Sequence, residues 1–292
     1  MFSLGNGVHE VHLLNAGLTY VDSGGAFGLV PQALWSRYQT PRDNYLVPMC
    51  LNNLLIKSGG KNILVDTGMG SKMPPKLIEQ WHLTHPNGTL FEGLERLGLQ
   101  PEDIDMVINT HLHADHCENN TRFDAEGNIV PSFPNAEHVV QQREYDDATH
   151  PNERTRATYV SVNFEPLMQH GQLRLLDGDT DIVPGVSCVV TPGHTPGHMS
   201  VRVSAEDEHI LFTCDLATYA IHFQKLAWMT AYDVEPLVTM ETKRHWQRWA
   251  LVTNAILIFP HDTTMLAARL VEDDRGKPVL SPITEAEGAC YS

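Results

Sequence analysis

The sequence predicts a layered α/β protein with two sheets inside, helices outside and functional loops gathered at one edge. Apolar, strand-like runs alternate with helical patterns in both halves of the 292-residue chain, and several of the runs end in a polar turn. With 42% hydrophobic residues the chain has enough apolar material for a core, and no Pro-, Gly- or Ser-rich linker divides it. We therefore predict a single domain over residues 1–292.

The first half is predicted to contain a hairpin, a helix and a further strand. The turn Ser58-Gly59-Gly60-Lys61 between two aliphatic runs is a hairpin signal, and Asp66 ends the second run. Leu90, Leu94 and Leu97 have helical spacing. The predicted elements are strands over 53–56 and 62–65, a helix over about 90–99 and a strand over 106–108 that leads into His111.

The second half repeats this arrangement of strands that each lead into a polar turn. The runs over 186–190, 210–212 and 255–259 are followed by the candidate ligands His194, Asp215 and His261, respectively. A helix is predicted over 235–252. Its apolar face would comprise Leu237, Met240, Trp246, Trp249 and Ala250.

Two segments are predicted to be irregular. The first, about 27–49, carries Trp35, Tyr38 and Tyr45 among prolines, and we interpret it as a lid or as the contact of a homodimer. The second, about 120–156, is polar and rich in turns, with a turn expected over 124–128. We expect this loop-rich insertion to cover or border the site.

Charge and cysteine usage exclude several classes of protein. The formal net charge of −16 disfavours nucleic acid and anionic membranes as partners. No signal-peptide pattern and no apolar run of about 20 residues is present, so we predict a cytoplasmic protein. The five cysteines lack any Cys-x-x-Cys pair, which indicates reduced thiols rather than disulfides or a zinc ribbon. They are Cys50, Cys117, Cys188, Cys214 and Cys290.

The run His-Leu-His-Ala-Asp-His at 111–116 is the strongest functional signal in the chain. In an extended segment, residues two apart share a face, so His111 and His113 can approach one ion together. A turn beginning at Ala114 would direct Asp115 and His116 to a second ion. Imidazole and carboxylate ligands suit zinc, iron, manganese, cobalt or nickel.

This run, followed by Thr-Pro-Gly-His-Thr-Pro-Gly-His at 191–198, then Asp215 and His261, resembles the metallo-β-lactamase superfamily. The resemblance implies a four-layered αββα sandwich with a dinuclear metal site at the sheet edge. Asp66 and His198 would orient the ligands by hydrogen bonding. The ligand sets implied are His111, His113 and His194 for the first ion, Asp115, His116 and His261 for the second, and Asp215 between them.

Two such ions imply hydrolysis by a shared hydroxide, with zinc expected first. Asp115 would also accept or relay the proton. Within the superfamily, the sequence resembles the branch of N-acyl-homoserine lactonases and methyl-parathion-hydrolase-like phosphotriesterases. A small lactone is therefore the expected substrate, with phosphotriesters or aryl esters as further substrates. Lactonases commonly place a substrate-binding tyrosine three residues after the bridging aspartate, where this chain has Thr218, so Tyr219 becomes the candidate.

Other reactions on the same scaffold remain open as alternatives. An iron-dependent oxidoreductase or a persulfide dioxygenase would use redox-active iron, which an iron-rich preparation and oxygen uptake would reveal. A glyoxalase II-like thioesterase usually has a basic tail that binds glutathione. It ranks lower here because the C-terminal part, at 271–275, is mainly acidic. His222, Phe223 and Trp228 are candidates for the pocket wall, with packing in the core as the alternative role for these aromatic side chains.

Overall fold

Two seven-stranded sheets lie face to face in the computed structural model, which describes residues 1–70 and 72–283. The N-terminal sheet has the spatial order β1-β2-β3-β4-β5-β8-β9, while β6 and β7 form a separate hairpin. These strands are β1 Phe2–Leu4, β2 His9–Asp22, β3 Leu46–Ser58, β4 Lys61–Val65, β5 Met106–Ile108, β6 Thr121–Phe123, β7 Ile129–Pro131, β8 Glu137–Gln141 and β9 Leu173–Leu176.

The second sheet follows the chain order from β10 to β16. Its strands are β10 Thr180–Val183, β11 Val186–Val190, β12 Met199–Ala205, β13 Glu208–Phe212, β14 Ile256–Ile258, β15 Ala267–Glu272 and β16 Pro278–Pro282. The helices are α1 Ser23–Phe27, α2 Gln32–Trp35, α3 Pro75–Gln80, α4 Leu90–Arg96, α5 Ala114–Cys117, α6 Gln142–Thr149, α7 Glu165–Gln169, α8 Ala220–Gln224 and α9 Pro236–Thr253. Among the described helices, none is both long and apolar enough to span a membrane.

Alternation along the strands divides the apolar side chains between three layers of core. In β3, Leu54 and Ile56 face the second sheet, whereas Leu55 faces outward. In β13, Phe212 faces inward and Leu211 faces outward. Helix α4 covers the outer face of the first sheet and α9 covers that of the second. This arrangement confirms the predicted four-layered αββα sandwich.

The hairpin between β3 and β4 has the turn that its glycines predict. Ser58 pairs with Lys61, so that Gly59 and Gly60 form a two-residue connection. Their φ angles are 60° and 75°, which is the left-handed region that a type I′ turn requires. Asp66 follows β4 directly, and the hairpin thereby delivers it to the sheet edge where the candidate ligands lie.

The predicted apolar face of α9 is wrong at Leu237, which is 74% exposed. The buried face instead includes the polar side chains of Lys243 and Gln247 beside Trp246. Lys243 Nζ donates to the carbonyl of His222 at 3.0 Å, and Gln247 Nε2 donates to a carbonyl at the end of α8. Hydropathy could not predict this face because it satisfies backbone groups of a neighbouring segment.

The two segments predicted to be irregular contain short elements. Residues 27–49 include α2, a 3-10 turn at Asp43–Tyr45 and the start of β3. Residues 120–156 include the β6–β7 hairpin, β8 and α6. The expected turn at 124–128 lies in that hairpin, where Asp124 accepts hydrogen bonds from Glu126 N and Asn128 N. Four cysteines are buried free thiols, whereas Cys290 lies outside the described residues.

Buried His138 should make the protein sensitive to acid. Burial lowers the pKa of His138 to about 3, against 6.5 for an ordinary histidine, so the unfolded chain binds a proton that the folded chain does not. Its stability contribution is therefore present above pH 6.5 and is lost as the pH falls towards 3. We expect the free energy of unfolding of His138→Leu, relative to that of the parent, to increase by roughly 1.5 kcal/mol between pH 6.5 and pH 5.

This difference can be measured by urea unfolding of both proteins at the two pH values. His170→Leu, at an exposed position, is the matched control for the replacement of a histidine by leucine. If the two proteins differ in free energy of unfolding by the same amount at pH 6.5 and at pH 5, the lowered pKa of His138 is contradicted.

Candidate metal centre

Strand direction brings the predicted ligands of the second sheet to one edge. β12 is antiparallel to both β11 and β13, and β14 is parallel to β13, so β11, β13 and β14 all run in the same direction. His194, Asp215 and His261 follow the carboxyl ends of these three strands. In the first sheet, β4 and β5 are likewise parallel, and they end next to Asp66 and the 111–116 run.

The first group of potential ligands is His111, His113 and His194, whose ligand atoms all lie within 4.8 Å of one another. His194 Nε2 is 3.1 Å from His113 Nδ1. Nitrogens that share one tetrahedral zinc ion lie about 3.3 Å apart when each Zn–N bond is about 2.05 Å. The three rings therefore have the spacing of ligands to one ion.

The second group is Asp115, His116 and His261, also within 4.8 Å. Helix α5 begins directly after His113, and it carries both Asp115 and His116. His261 Nε2 lies 3.1 Å from His116 Nε2, and Asp115 Oδ2 lies 3.6 Å from the same His116 atom. The turn expected at Ala114 is thus a short helix.

Asp215 lies between the two groups and contacts both. Its Oδ2 is 3.2 Å from His194 Nε2, and its Oδ1 is 3.1 Å from His261 Nε2. Burial alone would raise the pKa of Asp215, but His261, His194 and His116 outweigh that effect and hold the pKa well below its usual range. An ionised carboxylate in this position has the charge and the two oxygens to bridge two cations.

The protonation of two members of the first group, His111 and His113, also fits a metal centre. Burial, followed by the surrounding histidines, holds the pKa values of His111 and His113 well below the ordinary range, so both rings are neutral, as ligands must be. Within the described part of the chain, the buried His111 Nε2 has no hydrogen-bond partner. A divalent cation would satisfy that nitrogen, and the residues therefore fit the group that they were predicted to bind.

Asp66 connects the end of β4 to the ligand run. Its carboxylate accepts from Thr110 N and Thr110 Oγ1, both at 2.8 Å, and contacts His116 Nδ1 at 2.9 Å. Asp66 has a φ of 55°, in the left-handed region that non-glycine residues seldom adopt. Hydrogen bonding to His116 Nδ1 leaves the Nε2 atom of that ring directed at the second group.

His198 supports Asp215 through the backbone. Its Nδ1 lies 3.0 Å from the Thr191 carbonyl, and its Nε2 accepts from Asp215 N at 3.1 Å. Burial lowers the pKa of His198 to about 3, which keeps the ring neutral with one donor and one acceptor nitrogen. This contact is the kind of orienting hydrogen bond predicted for His198.

Cys214 lies beside the same groups, although the sequence pattern assigned it no role. Its thiol is 2.8 Å from Thr110 Oγ1 and 3.4 Å from Asp66 Oδ2, and it also falls within ligand distance of His111 and His198. Burial raises the pKa of Cys214, so the sulfur stays a thiol rather than the thiolate that binds metals.

The sequence did not reveal two groups that hydrogen-bond to candidate ligands, because neither follows one of the predicted strands that end in a ligand. Asp233 Oδ1 lies 3.0 Å from His194 Nδ1 and also accepts from Thr230 Oγ1 at 2.8 Å. The carbonyl of Cys50, in β3, lies 2.6 Å from His261 Nδ1. The Thr-x-x-Asp spacing at 230–233 was the one available signal, but it falls in a loop.

A cavity of about 240 Å³ opens onto both groups. Four candidate ligands and several apolar side chains line it together. Its lining includes His113, Asp115, His194, Asp215, Val21, Ala26, Met49, Trp81, Ala157, Thr158, Thr218, Tyr219, Thr230 and Tyr232. This combination of convergent polar groups and apolar walls is typical of a small-molecule site.

The aromatic candidates differ in their relation to this cavity. Tyr219 lines it, but the hydroxyl donates to the Pro48 carbonyl at 3.0 Å, and the ring stacks on Phe27. His222 packs edge-on against those two rings and lies outside the cavity lining, while Phe223 belongs to the core beneath α9. The carbonyl-binding role of Tyr219 stays a prediction.

The chain belongs to the metallo-beta-lactamase superfamily, whose family model matches residues 52–268. It is a metal-dependent hydrolase of that family, and the fold implies that it binds divalent metal ions. It is 29% identical over 216 residues to an N-acyl homoserine lactonase from Bacillus thuringiensis, which covers 68% of this chain and 76% of the relative.

Solved structures give the same classification. A probable metal-dependent hydrolase from Staphylococcus aureus superimposes with a TM-score of 0.85 at 26% identity, covering 95% of this chain and 98% of that one. An N-acyl homoserine lactone hydrolase with N-hexanoyl-L-homoserine bound at its catalytic metal center superimposes with a TM-score of 0.65 at 25% identity, covering 86% and 92%.

The contact between Asp233 and His194 should matter for metal affinity. The hydrogen bond fixes the ring orientation and favours the proton on Nδ1, which leaves Nε2 free to bind. We expect Asp233→Ala to weaken zinc binding by roughly 10- to 100-fold. Competition with a chromophoric chelator measures this change, and Asp207→Ala, in an exposed turn, is the control. Equal affinities in the two variants would show that Asp233 does not orient a ligand.

Proposed function

We propose that this hydrolase is a lactonase that opens a small lactone of the acyl-homoserine type, with aryl esters and phosphotriesters as further substrates. The cavity carries the proposal because His113, Asp115 and Asp215 line it together with the apolar side chains of Met49 and Trp81. An amphipathic ligand with a polar ring and an acyl chain matches this division. The similarity to N-acyl homoserine lactonases supports the same substrate class.

The metal centre proposed for this reaction contains two divalent ions, with zinc as the expected metal. The first would be held by His111, His113 and His194 and the second by Asp115, His116 and His261, with Asp215 shared. Bound there, such ions supply a hydroxide nucleophile at neutral pH and polarise the carbonyl under attack. The buried Asp66, His198 and Asp233 would hold the ligands in place.

Asp115 has the position of a proton carrier. It lines the cavity, and its side chain is 16% exposed, in contrast to the more deeply buried Asp215. We propose that Asp115 accepts the proton released by the attacking water. The acyl C–O bond of the ring then breaks, and Asp115 returns the proton to the departing alkoxide.

Residues 21–49 supply part of the cavity wall. Val21, Ala26 and Met49 come from β2, α1 and β3, and we propose that they contact the acyl chain of the substrate. The same segment exposes Leu29 and Tyr45, at 102% and 62%. These exposed apolar side chains support the proposed homodimer, in which a second copy of the chain would cover them.

The decisive experiment combines elemental analysis with turnover of a hexanoyl-homoserine lactone, an aryl ester and a phosphotriester on one preparation. We expect close to two metal ions per chain and the highest kcat/KM for the lactone. Asp215→Ala and His113→Ala should lose bound metal and hydrolysis while keeping the circular dichroism of the parent. If the preparation contains iron, takes up oxygen and hydrolyses none of the three substrates, the protein is an iron-dependent oxidoreductase on the same fold.

Tyr232 is a second candidate for binding the substrate carbonyl. It lines the cavity, is 44% exposed, and within the described residues its hydroxyl makes no hydrogen bond. The Tyr219 hydroxyl is already bonded to Pro48. We therefore expect Tyr232→Phe to lower kcat/KM for the lactone roughly 10-fold, the value of one hydrogen bond, and Tyr219→Phe to lower the Tm instead.

Tyr38→Phe is the matched control because Tyr38 is also 44% exposed but lies outside this cavity. It should leave both kcat/KM and Tm close to those of the parent. A loss of lactone turnover confined to Tyr219→Phe would assign the carbonyl to Tyr219, as the sequence predicted, and would exclude Tyr232.

A further inference from the structure

Glu144 is a fully buried glutamate in the first turn of α6, and it is not among the predicted ligands. Its Oε1 accepts from the backbone N–H of Leu112 at 3.0 Å and from the Tyr159 hydroxyl at 3.1 Å. Its Oε2 accepts from the hydroxyl of Thr195. A carboxylate taken out of water needs such donors, and here they come from three separate segments.

Two of these donors belong to the loops that carry the first ligand group. Leu112 lies between His111 and His113, and Thr195 directly follows His194. The Glu144 carboxylate therefore connects the end of β5 in one sheet with the loop after β11 in the other.

The backbone of the second loop also lies directly on Glu144. A Cβ atom added to Gly197 would lie 2.3 Å from Glu144 N, so the loop approaches α6 as closely as a glycine allows. On the other side, Ala114 N donates to the carbonyl of Thr158 at 3.0 Å, next to Tyr159. The contacts of Glu144 are thus part of a close-packed junction rather than a single long side chain reaching across a gap.

We propose that Glu144 is a positioning residue that sets the distance between His113 and His194 and thereby the metal affinity of the first group. The inference rests on the proposed metal centre. It predicts a selective effect, because the second group has different anchors. Asp66 holds His116, and the carbonyl of Cys50 holds His261.

The variant Glu144→Ala removes all three acceptor contacts, whereas Glu144→Gln keeps most of them. The glutamine carbonyl can accept from Leu112 N and Tyr159, and its amide can donate to the Thr195 hydroxyl, which both accepts and donates. Thr195→Val removes only the contact to the His194 loop, and it carries the test if Glu144→Ala does not fold.

Glu118→Ala is the matched control. Glu118 is also buried and belongs to the same edge of the first sheet, but its carboxylate accepts from Gly70 N and Lys72 N, both at 2.7 Å. Loss of that carboxylate should lower the Tm because it leaves Lys72 without its ion-pair partner in a buried position. It should not change the spacing of the first group.

The measurement is a stepwise cobalt(II) titration of the metal-free full-length chain, followed by visible absorption, with the Tm of each variant. The parent should bind two cobalt ions. Glu144→Ala and Thr195→Val should bind one ion with parental affinity and the other roughly 10- to 100-fold more weakly. The one-ion spectrum should match that of His194→Ala, while Glu144→Gln and Glu118→Ala should resemble the parent.

The outcomes separate this inference from the metal centre itself. Loss of Tm without any change in either cobalt affinity, or equal weakening of both sites, would overturn the positioning role of Glu144. A parent chain that binds no cobalt would instead remove the proposed metal centre and the inference with it.

Discussion

Cross-sheet contacts at one edge of the sandwich join the segments that carry His111, Asp215 and His261. Cys50 N, in the first sheet, donates to the carbonyl of His261 in the second at 3.1 Å, and Met199 N donates to the carbonyl of Thr110 at 3.0 Å. The Thr110 hydroxyl also contacts the thiol of Cys214 at 2.8 Å. Since these contacts lie at His261 or next to His111 and Asp215, a shift of one sheet against the other would separate these candidate ligands.

Three buried carboxylates at this edge hydrogen-bond to candidate ligands or to the loops that carry them. Asp66 orients His116, Asp233 orients His194, and Glu144 joins the loops that contain Leu112 and Thr195. Burial of so many acidic groups is unfavourable unless each is hydrogen-bonded, and these are. The positive φ of Asp66 adds backbone strain of about 1–3 kcal/mol, which the surrounding contacts must offset.

Of the sixteen strands among the described residues, the sequence predicted six, namely β3, β4, β5, β11, β13 and β14, because each is an apolar run with a recognisable end. Several candidate ligands follow these runs directly, and the family resemblance supplied their grouping. An apolar run that ends in His, Asp or a short His-rich segment can be recognised without knowledge of distant residues, as at His194, Asp215 and His261. Asp233 could not be found in this way, since its partner is 39 residues away and its own segment is a loop. The exposure of Leu237 was also unpredictable, because the polar partners of α9 lie in another segment.

The geometry of the site links metal binding to folding. Folding places His194 Nε2 3.1 Å from His113 Nδ1 and holds both His111 and His113 neutral at low dielectric, so the chain assembles lone pairs that face one another. Bringing these groups together costs free energy, which a shared cation offsets by accepting all of the lone pairs. A ligand that binds only the folded chain stabilises it in proportion to the logarithm of its concentration. Metal affinity and stability should therefore change together when a metal-binding side chain is replaced. Replacement of a cavity side chain such as Met49 should instead change substrate preference with little effect on metal affinity.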